Sequence, residues 1–65
     1  MQIKATFAKD RETKGAVLYK EIGANGHIIE NMYDCKIGSL YIRKTALDGE
    51  AIPNEIEVTV KSCLD

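Results

Sequence analysis

Two tyrosines and a small set of cations are the residues most able to do chemistry in this chain. Tyr41 and Arg43 stand two apart in the stretch Ile37–Arg43, which alternates Leu40 and Ile42 with Ser39, Tyr41 and Arg43. On a β-strand that spacing puts the ring and the guanidinium on one face. Lys44 follows directly, and Arg11 and Lys14 sit in a charged segment nearer the start. An aromatic ring stacks on a nucleobase, and Arg or Lys meets phosphate oxygens through charge-assisted hydrogen bonds. The same residue types also make protein–protein hot spots, or simply a solvated strand face with a half-buried ring. A weak echo between "GAVLYKE" and "GSLYIRK" adds Tyr19 as a second ring, expected in a strand environment similar to that of Tyr41.

Catalysis finds little support. His27 is the only histidine and lies beside a turn signal, with no orienting partner at readable spacing. Cys35 has no helix N-terminus or basic cluster to lower its pKa. The five glycines are scattered, and no strand–glycine loop–helix order marks a phosphate loop. A metal site is not expected, because Cys35, Cys63 and His27 match no finger or knuckle spacing. No cofactor is expected either. The reading is of a binding protein, not an enzyme.

Size and charge narrow the ligand. Sixty-five residues make one domain that buries only about 60% of its unfolded surface. Self-association is then the expected stabiliser, since two cysteines are too few for a disulfide framework. No secretory leader is recognisable and no apolar run reaches the ~18 to 20 residues needed to span a bilayer, so the expected setting is cytoplasmic and reducing, without a membrane partner. Nine Lys and Arg against ten Asp and Glu give a net charge of −1. The acids are spread along the chain, so a long polyanion such as duplex nucleic acid would be repelled, whereas a compact anion fits a local basic patch.

The elements that must position these residues read as strands. "MQIKATFAK" alternates Ile3, Ala5 and Phe7 with Lys4 and Thr6. "DRETKG" (Asp10 to Gly15) reads as a turn or loop, and "AVLYKEI" (Ala16 to Ile22) as a second strand. The core face of that strand is ambiguous, with Val17 and Tyr19 set against Leu18 and Ile22. "GANG" ends in Asn-Gly, a hairpin signal, which predicts a short third strand over "HIIENM" before the irregular "NMYDCK". After Arg43, Thr45 opens at most one helical turn, and Asp48-Gly49 and Pro53-Asn54 are turn signals. "EIEVTVK" closes the chain with Ile56, Val58 and Val60 inward and Glu55, Glu57, Thr59 and Lys61 outward. The expected fold is mainly β: four to five antiparallel strands in a small curled sheet or barrel-like oligomer.

Three segments carry a family resemblance. Glu12-Thr13-Lys14 leads to Tyr19 and Glu21; Gly38-Ser39-Leu40-Tyr41-Ile42-Arg43-Lys44-Thr45-Ala46-Leu47 follows; Ile56-Glu57-Val58-Thr59-Val60 ends the pattern. The chain resembles a family of small β-proteins from phages, prophages and bacteria, in which T-K precedes a Tyr-x-Glu strand and G-x-L-Y-V-x-K-x-A-L precedes I-x-V-T-V. It departs from that pattern in the longer segment from Gly23 to Lys36. The resemblance implies a phage-borne accessory protein acting inside the bacterial host cell, a setting in which oligomeric sponges for cyclic nucleotide signals also occur. The expected function is non-enzymatic binding of a small nucleotide-like anion by a homo-oligomer. In that reading Tyr19 and Tyr41 stack, Arg43 and Lys44 hold phosphate, and Arg11 or Lys14 closes over the ligand. The alternatives are a module that blocks a host protein and a single-stranded nucleic-acid binder.

Overall fold

The structure, a computed structural model, describes residues 1–47 and 51–63. Four antiparallel strands form one curled, half-barrel sheet in the order β3-β2-β1-β4. They are β1 (Gln2–Glu12), β2 (Ala16–Ile22), β3 (Ser39–Arg43) and β4 (Glu55–Lys61). A 3-10 turn (Met32–Asp34) and a single-turn helix α1 (Lys44–Leu47) complete the fold. The turn signal at Asp48–Gly49 lies outside the described residues.

The alternation of each strand explains the core. The ladder pairs Phe7 with Glu21 and Ile56, Tyr19 with Leu40, and Val17 with Ile42. Cross-strand partners share a face, so Ala5, Phe7, Val17 and Tyr19 converge, with Leu40, Ile42, Ile56 and Val58 around them. Ile37, Leu47 and Ile52 cover the open side of this cluster. The ambiguity in β2 is thereby resolved toward Val17 and Tyr19. Leu18 and Ala16 are nonetheless buried on the other face, where Arg11, Tyr41 and Arg43 are their cross-strand neighbours.

Tyr19 differs from its expected role. Its side chain is 0% exposed, and its hydroxyl donates to the Pro53 carbonyl at 2.8 Å. The apparent echo with Tyr41 is a matter of composition. The antiparallel register sets Leu18 against Tyr41 and Tyr19 against Leu40, so the two Leu-Tyr pairs interlock and their rings point to opposite faces.

Two predicted boundaries also move. β1 runs through "DRE" instead of ending at Lys9, because the ladder slips one residue between Lys9 and Arg11. The bulge breaks the period, which makes a paired segment read as a turn. The true turn is Thr13–Gly15, where the Thr13 hydroxyl donates to the Ala16 carbonyl and accepts from its N–H. The turn forms one residue earlier than an Asn-Gly central pair would place it: the Gly26 N–H donates to the Gly23 carbonyl, so Ala24 and Asn25 are the central residues and Gly26 follows at φ +81°. The predicted strand over "HIIENM" reduces to one bridge, Ile22 with Ile28. The reason is competition: β3 already occupies the edge of β2 from Ala16 to Lys20.

What holds the long connection between β2 and β3 is a carboxylate. Glu21 continues the inward side of β2 and is only 4% exposed. One of its oxygens accepts from the backbone N–H groups of Lys36, Ile37 and Gly38 at 3.0, 2.8 and 3.0 Å. The other accepts from Lys36 N–H at 3.1 Å. Gly38 takes φ +102° at this point, a conformation glycine adopts without strain. The Glu21 N–H then donates to the Gly38 carbonyl, so β3 enters the ladder already in register. Burial alone would raise the Glu21 pKa, but the hydrogen bonds from Gly38, Ile37 and Lys36, helped by the Lys36 charge, hold it below its ordinary value.

Two measurements test this framework. Tyr19→Phe removes a buried hydrogen bond without a cavity and is expected to cost about 1 kcal/mol in urea unfolding; no loss would show that the Pro53 contact is absent in solution. Glu21→Gln is expected to cost roughly 2 kcal/mol at neutral pH, in the range for hydrogen bonds to a charged group. Because the folded pKa is lowered from 4.5, the carboxylate stabilises fully above that value and the benefit disappears as pH falls through the folded one. The gap between wild type and Glu21→Gln therefore narrows in acid; a gap independent of pH would contradict the assignment.

Candidate functional site

The face opposite the core gathers three of the six expected residues. The bulge sets Arg11 against Leu18 in one direction, and Tyr41 stands against Leu18 in the other. Arg11, Leu18 and Tyr41 thus form one row across β1, β2 and β3. Arg43 occupies the next row, against Ala16, on the same face. Leu18 is 6% exposed and Tyr41 is 56% exposed, so an apolar floor lies between a guanidinium and an open ring.

Ion pairing separates the cations. Lys44 Nζ lies 3.2 Å from Glu12, and Lys9 reaches the same carboxylate at 3.5 Å. The Lys44 hydrogen bond, opposed by burial and reinforced by the charges of Lys44 and Lys9, holds the Glu12 carboxyl below the usual range. Glu12 pairs with Val17 and shares its face, so Lys44 is drawn toward the core side of the sheet and away from Tyr41. That corrects its expected place beside Arg43. Lys20 meets Asp10, the extra residue of the bulge, at 4.0 Å. Among the described residues neither Arg11 nor Arg43 forms an ion pair. Lys14 lies exposed in the turn whose next residue, Gly15, accepts from the Lys44 N–H, at the Arg43 end of the patch.

Tyr19 is absent from this surface. Burial, reinforced by the Glu12 charge, pushes its phenol up, as suits a neutral core hydroxyl donating to a carbonyl.

Concave regions among the described residues lie along the 23–36 segment. A cleft of about 540 Å³ opens where the 23–36 segment curls beside the ends of β1, β2 and β4. Its charged lining is Lys4, Lys36, Glu21, Asp34, Glu55 and Glu57, acidic on balance and poorly suited to a phosphate. Cys35 borders this region. Burial and the Glu21 and Asp34 carboxylates push its thiol up, which leaves little thiolate for nucleophilic chemistry at neutral pH. Cys35 and Cys63 are both free. Among the described residues no group of three or more His, Cys, Asp or Glu side chains is placed to hold a metal ion, and no helix is long and apolar enough to cross a membrane.

Two features escaped the sequence reading. Glu21 carries the connection to β3, and its signal was a carboxylate in the Val17-x-Tyr19-x-Glu21 series, on the inward side. Ile28, Met32 and Tyr33 stand exposed on the 23–38 segment, with Tyr33 at 89%; their signal was apolar and aromatic residues in a stretch without strand or helix period.

Comparison of the chain with family models, with curated proteins and with solved structures finds no match.

Proposed function

We propose that the outer face of β1, β2 and β3 binds a small, ring-bearing anion of the nucleotide class and does not transform it. The observation behind this reading is the row Arg11–Leu18–Tyr41, with Arg43 beside it: an exposed ring over an apolar floor, between two guanidiniums without ion partners among the described residues. A base stacks on Tyr41, while Arg11 and Arg43 approach phosphate oxygens from two sides. In this reading affinity comes from stacking and charge. The resemblance to phage-borne proteins makes cyclic dinucleotides the first ligands to try, with sequestration of a host defence signal in the bacterial cytoplasm as the role.

A second reading is contact with a host protein, and it rests on the exposed Ile28, Met32 and Tyr33, a patch that the nucleotide reading does not use.

Thermal unfolding in the presence of cyclic dinucleotides and linear nucleotides separates the two. A ligand at a hundredfold excess over its Kd is expected to add about 2.7 kcal/mol of stability. Tyr41→Ala is expected to weaken that ligand by about 1–3 kcal/mol, the usual contribution of one stacked base, and Arg11→Ala to weaken it and reduce its salt dependence. Absence of any shift across the nucleotides, or a shift indifferent to both substitutions, would overturn the assignment.

A further inference from the structure

The two edges of the sheet are complementary to each other. In β3 the Gly38 carbonyl and the Lys44 N–H bond toward β2. Strand alternation then turns the N–H and C=O groups of Ser39, Tyr41 and Arg43 away from the sheet. In β4 the Asn54 carbonyl and the Ser62 N–H bond toward β1, so Glu55, Glu57, Thr59 and Lys61 turn their backbone groups outward. Among the described residues each edge is thus a row of donors and acceptors without backbone partners, and neither strand contains a fully buried residue. Their core-side residues Leu40, Ile42, Ile56 and Val58 are only partly covered.

We propose that the β3 edge of one copy pairs with the β4 edge of a second copy, continuing the antiparallel sheet across the seam. Direction permits it: alternation in the order β3-β2-β1-β4 leaves β3 and β4 running oppositely. Face permits it as well. The outward backbone groups belong on both edges to the outer-face residues, so pairing them sets outer face against outer face and brings Leu40 and Ile42 beside Ile56, Val58 and Val60. Charge favours it. Arg43 falls opposite Glu55 or Glu57, and none of these three has an ion partner among the described residues. Two copies joined by two such seams supply eight strands, the number at which side chains just fill a barrel interior. Open edges otherwise invite indiscriminate pairing, and opposite charges on the two edges select this one. Arg43 is shared with the nucleotide reading, and in the paired assembly its charge is met by Glu55 or Glu57, which leaves Arg11 and Tyr41 to carry the ligand; either proposal stands if the other fails.

Sedimentation of the whole chain without nucleotide tests the pairing, with circular dichroism to confirm that each variant is folded. The wild type is expected to sediment at a mass of two chains. Arg43→Glu alone and the double variant Glu55→Lys/Glu57→Lys are each expected to dissociate about tenfold or more readily, as like charges meet at both seams. An equimolar mixture of the two variants restores opposite charges at both seams and is expected to recover the wild-type mass. Arg11→Ala is expected to leave the mass unchanged. A wild type that stays a single chain would overturn the proposal, as would a dimer indifferent to the β4 reversals or a mixture that fails to recover.

Discussion

A single carboxylate fixes the geometry on which the site depends. Glu21 sits at the end of a strand buried on its inward side, where an unpaired charge would be costly, and it ends a strand that must connect to β3 through a segment with almost no ladder of its own. The N–H groups of Lys36, Ile37 and Gly38 meet that charge, and the same contact supplies acceptors for backbone donors that a loop end would otherwise leave open. The segment 23–38 is therefore anchored at its far end by a side chain instead of by strand pairing. A chain this short has few buried apolar residues to spare, and the polar anchor substitutes for core that is not there.

The consequence is register, and register decides what the surface offers. A shift of one residue in β3 would exchange the two faces of the strand, placing Tyr41 and Arg43 in the core and Leu40 and Ile42 in water. With Gly38 held by Glu21, Leu40 meets Tyr19 and Tyr41 meets Leu18. The bulge at Asp10 has a matching effect on β1: it brings Arg11 to the outer face opposite Leu18, where an uninterrupted strand would have turned it inward. Two local irregularities, one a glycine conformation and one an extra residue, thus assemble Arg11 and Tyr41 on one row. The ion pairs of Glu12 and Asp10 then hold Lys44, Lys9 and Lys20 and leave Arg11 and Arg43 without an ion partner among the described residues.

Much of this was legible from the chain. Period-two alternation located β1, β3 and β4 and put Ala5, Phe7, Ile56 and Val58 on the core side, although Val60 at the end of its series stays 37% exposed. β2 was legible only from its β-forming residues, because it is buried on both faces and shows no period. Tyr41 and Arg43 on a common exposed face followed from the same rule. The misreadings share one cause, which is that strand partners are non-local. The face of Tyr19 depends on its pairing with Lys9 and Leu40, the loss of the 27–32 strand depends on β3 occupying the β2 edge, and the fate of Lys44 depends on Glu12, distant in sequence. Nothing within a window of ten residues contains those partners. Glu21 was hidden for a different reason: a carboxylate in an inward series conflicts with the pattern until the three amides that satisfy it are known.

The most direct test is a carbon-13 titration of the Glu21 side-chain carboxyl, with the amide protons of Lys36, Ile37 and Gly38 followed in the same samples. The account requires a midpoint below the ordinary glutamate value, with all three amides shifting on that same curve as the carboxylate they donate to is protonated. A midpoint at the ordinary value, or amides that ignore the Glu21 transition, would contradict it.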